Sequence, residues 1–432
     1  MLRLLSERGA SVLDAFLKSE TLDAFRSSVV ETRPVGELAV EHPKVWFPSY
    51  PYEWPAEMLC AAAGLTLDLA RGLLQEGWGL KDATPYNILF EGARPIFVDV
   101  CSFERRDAAD PLWLAYGQFV RTFLNPLIAH KYLRFPLDAL MLASRDGIST
   151  EQIYRWTPWV NRWFGPLLTK ITLPVLAASW AEDRPMRNGQ QPAKHGEAVW
   201  VLERLLEGLR HKLEAVRPTV TPESHWTGYM QTFTYSAAQF EFKSKLVTDA
   251  LIGIHPRRTL DVGCNTGYFS KMAASAGSRV VAIDRDPAVL GHLWKDASQE
   301  KFDIQPLVAD FARPTPATGW RNAECSSFLD RAEGAFDLVL LLGTLHHLTV
   351  TDRVPISEVL GQAARVASHA VVEYVDPADP MFRMLARSNE HLYLDYTAEA
   401  FEQACLREFT IVRSAAVPES HRKLYVLRRR VL

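Results

Sequence analysis

The sequence predicts a two-domain α/β protein whose C-terminal half contains a mostly parallel, seven-stranded sheet. Two observations lead to this fold class. From residue 258 onward, apolar strand-like runs alternate with amphipathic helical segments, a pattern that gives parallel sheets covered by helices on both faces. The last two runs, FTIVRSAAV and KLYVLRRR, are joined through the turn PESH, which is too short for a crossover. These two strands must therefore pair antiparallel, so the last strand is expected to run antiparallel.

A polar, proline-containing stretch divides the chain. VRPTVTPESH, residues 216–225, contains few apolar side chains, which is typical of a linker between domains. We therefore predict a mostly α N-terminal domain at residues 1–217, a linker at 218–225 and a C-terminal domain at 226–432.

The composition excludes several functional classes. The 432 residues carry a net charge of −3, without the basic excess of proteins that bind long phosphate backbones, so no nucleic acid is expected as partner. Five scattered cysteines argue against a disulfide framework and against a metal site. The first residues, MLRLLSERGASVLDAF, are charged where a signal peptide is apolar, and no apolar run approaches the ~20 residues of a membrane span. We expect a soluble, cytoplasmic protein.

The segment TLDVGCNTGYF leads from the first strand of the C-terminal half into a glycine-containing turn. A dinucleotide-binding turn has three glycines, G-x-G-x-x-G, but Asn265 stands between Gly263 and Gly267 here. A triphosphate loop would continue with Lys and Ser or Thr, but Tyr268 follows instead. Asp261 would repel a diphosphate, whereas it suits a ligand with an ammonium and a sulfonium charge. The turn therefore predicts S-adenosyl-L-methionine as cofactor.

Other residues occur where this cofactor needs them. Asp284 ends the second strand, where it can accept hydrogen bonds from ribose hydroxyls. Asp310 and Phe311 end the third strand, where a carboxylate can bind the adenine amino group and a ring can cover the base. Open α/β sheets bind ligands at these carboxyl ends of the strands. The predicted cofactor-binding residues are Asp261, Gly263, Cys264, Asn265, Gly267, Tyr268, Asp284, Arg285, Asp310, Phe311 and Leu342.

Together these motifs resemble the class I S-adenosylmethionine-dependent methyltransferases, over residues 226–432. Three segments, YMQTFTYSAAQFEFKSK, GWRNAECSSFLDR and EYVDPADPMF, are also similar to methyltransferases related to rhizobial nodulation proteins. The resemblance implies a Rossmann-like sheet and an enzyme that transfers a methyl group from S-adenosylmethionine.

Three residues are catalytic candidates. His346 and His347 follow the fourth strand, beside the expected methyl position, and an imidazole can deprotonate or orient a hydroxyl. The alternative is that one histidine caps a helix while the other packs against the sheet. Glu373 ends the fifth strand and is the third candidate. We also hypothesise that three residues form a wall of the substrate site: Trp320, Glu324 and Arg331. The alternative is that these residues serve only packing and surface ion pairing.

The fourth strand also restricts the acceptor. Amino-methylating DNA enzymes resemble one another in a D/N-P-P-aromatic turn here, but Gly343-Thr344-Leu345 occupies the position. The glutamate pair expected for arginine methylation is absent from the following loop. We therefore expect methylation of an oxygen or carbon on a small molecule or glycan, and the sequence leaves the oligomeric state open.

The N-terminal half contains a second pattern, in LKDATPYNILFEGARPIFVDVCSFE. Asp82 and Asn87 have the D-x-x-x-x-N spacing of kinase catalytic loops, and Asp99 stands where those folds hold a metal-binding aspartate. Residues 55–180 therefore resemble a kinase-like fold. However, Lys81 and Cys101 replace family residues, and the glycine-rich loop is missing. This favours a degenerate domain that binds or presents the acceptor.

Three hypotheses for the whole chain follow. The first is a methyltransferase whose N-terminal domain presents the acceptor. The second is a bifunctional kinase and methyltransferase that acts on a glycan. The third is a non-catalytic, cofactor-binding partner protein.

Overall fold

A computed structural model describes residues 1–107, 109–182, 195–218, 235–387 and 389–430. The chain divides into two compact units, Met1–Val220 and Thr221–Leu432. Apart from Pro218, the predicted linker at 218–225 lies outside the described residues. Within the described parts of the chain, no helix combines the length and the apolar character needed to cross a membrane.

The first unit is mostly helical, as predicted. Its core includes α3, which buries Leu59, Leu69 and Leu73, and α10, which buries Leu202 and Leu209. These two helices pack against each other. The described helices are Glu7–Leu17 (α1), Glu20–Ala24 (α2), Ala56–Leu74 (α3), Tyr116–Phe119 (α4), Asn125–Leu133 (α5), Leu137–Ala143 (α6), Thr150–Trp156 (α7), Trp159–Trp163 (α8), Leu173–Glu182 (α9) and His195–Val216 (α10).

Short antiparallel strands accompany these helices. Strands β1, β2 and β3 form a small sheet in the order β1-β3-β2, while β4 pairs with β7 and β5 with β6. The residues of the kinase-like pattern lie on and beside the last two pairs. The strands are Leu2–Leu4 (β1), Arg33–Pro34 (β2), Ala39–Glu41 (β3), Trp78–Leu80 (β4), Ile88–Glu91 (β5), Arg94–Phe97 (β6) and Phe103–Arg105 (β7).

The second unit alternates helices and strands. Its strands are apolar and largely buried, as expected for a sheet covered on both faces, except for the edge strand Phe409–Ala416, which is mostly exposed. The elements are Ala237–Ile254 (α11), Arg258–Val262 (β8), Tyr268–Ser275 (α12), Arg279–Asp284 (β9), Pro287–Glu300 (α13), Ile304–Val308 (β10), Phe328–Ala332 (α14), Phe336–Leu341 (β11), Ile356–Val366 (α15), Ala367–Val375 (β12), Pro380–Ala386 (α16), Ala398–Glu408 (α17), Phe409–Ala416 (β13) and Arg422–Arg429 (β14).

The predicted seven-stranded sheet is confirmed. Its order is β10-β9-β8-β11-β12-β14-β13, and the neighbours from β10 to β12 are all parallel. The last strand, β14, inserts between β12 and β13 and runs antiparallel to both. Because Val375 at the end of β12 pairs with Arg422 at the start of β14, Arg422 lies at the carboxyl edge of the parallel strands. That edge carries the candidate site.

Candidate active site

A cavity of about 390 Å³ opens at the carboxyl edge of the sheet in the second unit. This volume lies in the range of sites for small-molecule ligands and cofactors. Every predicted cofactor-binding residue lines the cavity except Asp261 and Gly267. Nine of the eleven predicted residues therefore lie around one continuous cavity.

Two glycines shape the turn between β8 and α12. Gly263 has φ +68°, and a Cβ placed there would lie 2.8 Å from Oγ1 of Thr344. Gly267 has φ +78°, and its Cβ would overlap the side chain of Leu293 on α13. Positive φ with no room for a Cβ requires glycine at both positions. Gly263 thus allows the turn to approach the loop after β11, whereas Gly267 allows α12 to pack against α13.

Asp261 is buried on β8, and its carboxylate accepts a hydrogen bond of 2.6 Å from the Ser270 hydroxyl of α12. Burial raises the pKa of Asp261 to about 6. The carboxylate ties the strand to the helix that follows the turn. It does not line the cavity.

Asp284 lines the cavity and organises the turn. Its Oδ2 accepts the backbone N–H of Asn265 at 2.9 Å, and its Oδ1 accepts that of Asp286 at 3.0 Å. Each carboxylate oxygen has two acceptor positions, so both oxygens can still accept a ligand hydroxyl. Burial raises the pKa of this carboxyl.

Asp310 belongs to an ion-pair cluster at the same part of the cavity. The Arg285 guanidinium lies 2.7 Å from both Asp310 and Asp352, and Arg313 lies 2.6 Å from Asp352. Although burial opposes ionisation, the hydrogen bond from Arg285 lowers the pKa of Asp310. The sequence predicted Asp310 and Arg285 but gave no signal for Asp352, which lies 67 positions after Arg285.

The two histidines differ in location. His347 lines the cavity, and burial followed by the charge of Arg285 lowers its pKa. His346 is 1% exposed and does not line the cavity; its ring centroid lies 4.4 Å from that of His347. Among the described residues, neither ring nitrogen of His346 has a hydrogen-bond partner. His347 is therefore the histidine that can contact a ligand.

Glu373 is completely buried at the centre of a polar network beside the cavity. Its carboxylate accepts the Tyr235 hydroxyl and, at 2.7 Å, the ammonium of Lys243. Arg422 donates to the Tyr235 oxygen at 2.7 Å and, through Nε, to Asp379 at 2.8 Å. Tyr235, Lys243 and Arg422 line the cavity, while both carboxylates lie behind them. We refer to these five residues as the Glu373 network.

Burial shifts the pKa of both members of the Glu373–Lys243 ion pair. It raises the pKa of Glu373 to about 7 and lowers that of Lys243, whose charge Arg422 also disfavours, to about 7. Tyr235 and Lys243 belong to YMQTFTYSAAQFEFKSK, and Asp379 belongs to EYVDPADPMF. These segments resemble nodulation-related methyltransferases, but the resemblance did not point to these three residues. No sequence signal indicated Arg422, because its position depends on the insertion of β14 beside β12.

The predicted substrate wall is not at the cavity. Trp320 is 77% exposed, and neither it nor Glu324 or Arg331 lines the cavity. These residues lie between β10 and β11, in a segment whose fold the sequence alone did not indicate.

The kinase-like pattern of the first unit converges on one hydroxyl. Ser102 donates to Asp99 and lies 3.4 Å from a carboxylate oxygen of Asp82, while the amide of Asn87 donates to Ser102 at 3.3 Å. Arg3 pairs with Asp99 at 2.6 Å. Both oxygens of Asp99 therefore have protein partners. Across the described parts of the chain, no group of three or more His, Cys, Asp or Glu side chains is arranged to hold a metal ion.

Comparisons with known proteins identify the family of this chain. A family model described as a methyltransferase domain matches residues 260–369. The nodulation protein NoeA of Rhizobium meliloti is 31% identical over 394 residues, which cover 90% of this chain and 82% of that protein. The chain belongs to the NoeA family.

Solved structures with weaker similarity were also found. The N-methyltransferase NodS of Bradyrhizobium japonicum, bound to S-adenosylhomocysteine, is 16% identical with a TM-score of 0.35, covering 49% of this chain and 94% of that one. The bifunctional kinase-methyltransferase WbdD is 19% identical with a TM-score of 0.34, covering 50% of this chain and 44% of that one. The match thus spans less than half of WbdD.

The enzyme class follows from the methyltransferase domain and the NoeA relative. The protein is a class I S-adenosylmethionine-dependent methyltransferase, as the sequence predicted. Its cofactor is S-adenosylmethionine, and the hypothesis of a non-catalytic partner protein is wrong.

Proposed function

We propose that this enzyme methylates an oxygen of a small-molecule or glycan acceptor, with carbon as the alternative acceptor atom. The observation that carries the proposal is the Tyr235 hydroxyl on the cavity wall, which donates to the buried carboxylate of Glu373. A hydroxyl acceptor must lose a proton when it is methylated, and this pair offers that proton a path out of the reaction site.

The strand order supports a direction for the bound ligands. Asp310 and Asp284 lie at the ends of β10 and β9, whereas Glu373 and Arg422 lie on β12 and β14, beyond β8 and β11. We assign the adenosine to the first end, with Asp284 on the ribose and Asp310 and Phe311 at the base. Gly263 and the loop after β11 then flank the centre of the cavity, and the acceptor enters beside the Glu373 network.

Bound S-adenosylmethionine supplies a methyl group for an in-line displacement, which requires positioning more than covalent help from the protein. In our proposal, the Tyr235 oxygen accepts the acceptor's hydroxyl proton while its own proton passes to Glu373. The new bond joins the acceptor oxygen to the methyl carbon, and the sulfonium becomes a neutral sulfide. Protonation of Glu373 removes one negative charge as the positive charge of the sulfonium is lost, so the net charge of the buried site stays constant.

The two cations of the Glu373 network, Lys243 and Arg422, stabilise the ionised form of Glu373. An isolated carboxylate as deeply buried as Glu373 would be strongly destabilised unless paired. Lys243 at 2.7 Å and Arg422 at 3.6 Å compensate its charge. Burial still raises the pKa of Glu373 to about 7, which favours proton uptake near neutral pH.

His347 is the alternative proton acceptor. It lines the cavity, and its lowered pKa leaves the imidazole neutral at neutral pH and able to accept a proton. Arg285 and Asp352 are among the charges that act on it, and they belong to the end we assign to adenosine. We therefore assign His347 to positioning and Glu373 to proton uptake.

Labelled methyl transfer tests the acceptor class. Purified protein would be incubated with tritiated S-adenosylmethionine and four panels: methyl glycosides and free sugars, phenols, primary amines, and duplex DNA. We expect label in one or both hydroxyl panels and none in amines or DNA, because the site provides for proton removal from oxygen. Label in the amine panel alone would replace oxygen with nitrogen as the acceptor atom.

For the first unit, we propose a role in binding or presenting the acceptor. Two features support this over phosphate transfer: the kinase-like segment lacks a glycine-rich loop, and Arg3 already compensates the charge of Asp99. The convergence of Asp82, Asn87 and Asp99 on Ser102 favours the second candidate, a bifunctional kinase and methyltransferase.

Thermal unfolding with ATP distinguishes these two candidates. A ligand that binds the folded state must raise the unfolding temperature. Because the kinase-like segment lacks a glycine-rich loop, we expect ATP at about 5 mM with MgCl₂ at about 10 mM to leave the unfolding temperature unchanged. S-adenosylhomocysteine serves as the positive control. A shift with ATP that disappears in Asp99→Ala, but persists in the exposed-site control Asp107→Ala, would establish the bifunctional enzyme instead.

A further inference from the structure

The first unit presents a cluster of aromatic side chains to solvent around α8. Trp159 is 69% exposed, Phe164 68%, Val160 56%, Trp163 43% and Trp156 40%. Among the described residues, the only ring contact of these four aromatic side chains joins Trp156 to Phe135, at 5.2 Å. We call these five residues the aromatic corner. Large apolar side chains that are exposed close together, and not scattered singly, often mark a site of interaction in soluble proteins.

The aromatic corner is held firmly in place. Helix α7 begins with a capping box formed by Ser149 and Gln152. The Arg162 guanidinium of α8 donates to the backbone carbonyls of Thr157 at 2.9 Å and of Arg155 at 3.3 Å. The carbonyl of Arg162 in turn accepts the Thr172 hydroxyl at 2.8 Å. The exposed rings therefore project from a cross-linked turn and not from a loose segment.

The same stretch contains no acidic residue. Residues 152–181 lack Asp and Glu but include Arg155, Arg162 and Lys170. With 51 acidic residues in 432, a stretch of thirty would carry between three and four on average. Two further cations, Lys212 and Lys131, lie close enough to Lys170 to lower its pKa, although burial has the larger effect. The stretch is flanked by Glu151 and Glu182, and within it every charged side chain is basic.

We propose that the aromatic corner inserts into the interface of a membrane that carries anionic lipids. Trp and Phe on a short helix suit the boundary between headgroups and acyl chains, where the rings bury apolar surface. Arg and Lys beside them attract anionic headgroups, and this attraction weakens with salt. The basic side chains of this stretch favour an anionic membrane over a second copy of the chain as the binding partner, because two copies would bring the same cations together. The proposal is independent of the acceptor and of the proton route.

Vesicle co-sedimentation of the full chain tests this proposal. Sucrose-loaded vesicles of phosphatidylcholine and phosphatidylglycerol in equal parts would be compared with vesicles of phosphatidylcholine alone. We expect at least about fivefold more protein on the anionic vesicles, a blue shift of tryptophan fluorescence on binding, and a loss of most binding in 0.5 M NaCl, where the Debye length falls to roughly 4 Å.

The decisive variant is the double substitution Trp159→Ser with Phe164→Ser, which should lower binding to anionic vesicles at least about tenfold. Its matched control is Trp200→Ser, since Trp200 is also 58% exposed in the first unit but lies outside the aromatic corner. Retained S-adenosylhomocysteine binding and an unchanged unfolding temperature would show that each variant is folded.

Two outcomes would overturn the proposal. One is equal binding of wild type and the double variant to anionic vesicles, or no binding by either. The other is concentration-dependent self-association of the wild type in sedimentation velocity that the double variant loses, which would assign the aromatic corner to a second copy of the chain.

Discussion

Replacing Glu373 with Gln is expected to slow methyl transfer by about 100- to 10,000-fold, the usual contribution of a general base. Glutamine has the same shape but cannot take up the proton that Tyr235 passes on. The affinity for S-adenosylhomocysteine should change less than about threefold, because Glu373 does not line the cavity. Tyr235→Phe should also slow turnover without weakening cofactor binding, since it removes the hydroxyl that donates to Glu373 and that we propose as the proton relay from the acceptor.

Turnover is expected to increase with pH. Since the pKa of Glu373 is raised to about 7, the carboxyl is protonated below that pH and cannot accept another proton. Turnover by the wild type should therefore be low near pH 5.5 and rise as pH increases through about 7. The residual turnover of Glu373→Gln should lack this rise.

The measurements are single-turnover rates with the acceptor that the labelling panels identify, and calorimetry for the cofactor. Glu402→Gln is the matched control: Glu402 also accepts from a Lys and a Tyr, Lys423 and Tyr425, both at 2.8 Å, yet it does not line the cavity. We expect its turnover within about twofold of the wild type. If His347→Gln abolishes turnover while Glu373→Gln retains it, the proton acceptor is His347.

Asp284→Ala is expected to weaken binding of S-adenosylmethionine by about 1.5–3 kcal/mol, or roughly 10- to 150-fold. The wild type should bind at micromolar affinity, about −8 kcal/mol. The substitution removes the carboxylate that we assign to the ribose hydroxyls, and it also releases the backbone N–H groups of Asn265 and Asp286. The turn that forms the cavity wall would then lose its fixed shape.

Calorimetry with S-adenosylmethionine and S-adenosylhomocysteine measures this effect. Asp303→Ala is the control, because that carboxylate forms an ion pair with Arg279 at 2.8 Å but does not line the cavity. Its affinity should match the wild type. Heat from NAD binding to the wild type, with none from either adenosyl ligand, would contradict the assignment of the whole pocket.

Many residues at the end of the cavity that we assign to the cofactor could be predicted, because their positions depend on local patterns. Each parallel strand ends at the same edge of the sheet, so residues at successive strand ends, such as Asp284 and Asp310, must lie close together. The sequence showed that the glycines at 263 and 267 belong to a turn. It did not show why each position requires glycine, because Thr344 and Leu293 approach these positions from distant parts of the chain.

The sequence by itself determined the fold class and the chemistry of the cofactor, and it predicted the carboxyl edge of the sheet as the binding site. Only the tertiary structure decided which residues form the Glu373 network, at the end of the cavity that we assign to the acceptor. Tyr235 and Arg422 are 187 positions apart and meet because β14 enters the sheet between β12 and β13. The sequence of the β13–β14 hairpin does not specify which other strand of the sheet pairs with β14. The pairing is fixed by burial across the whole sheet, a long-range effect that no local pattern records.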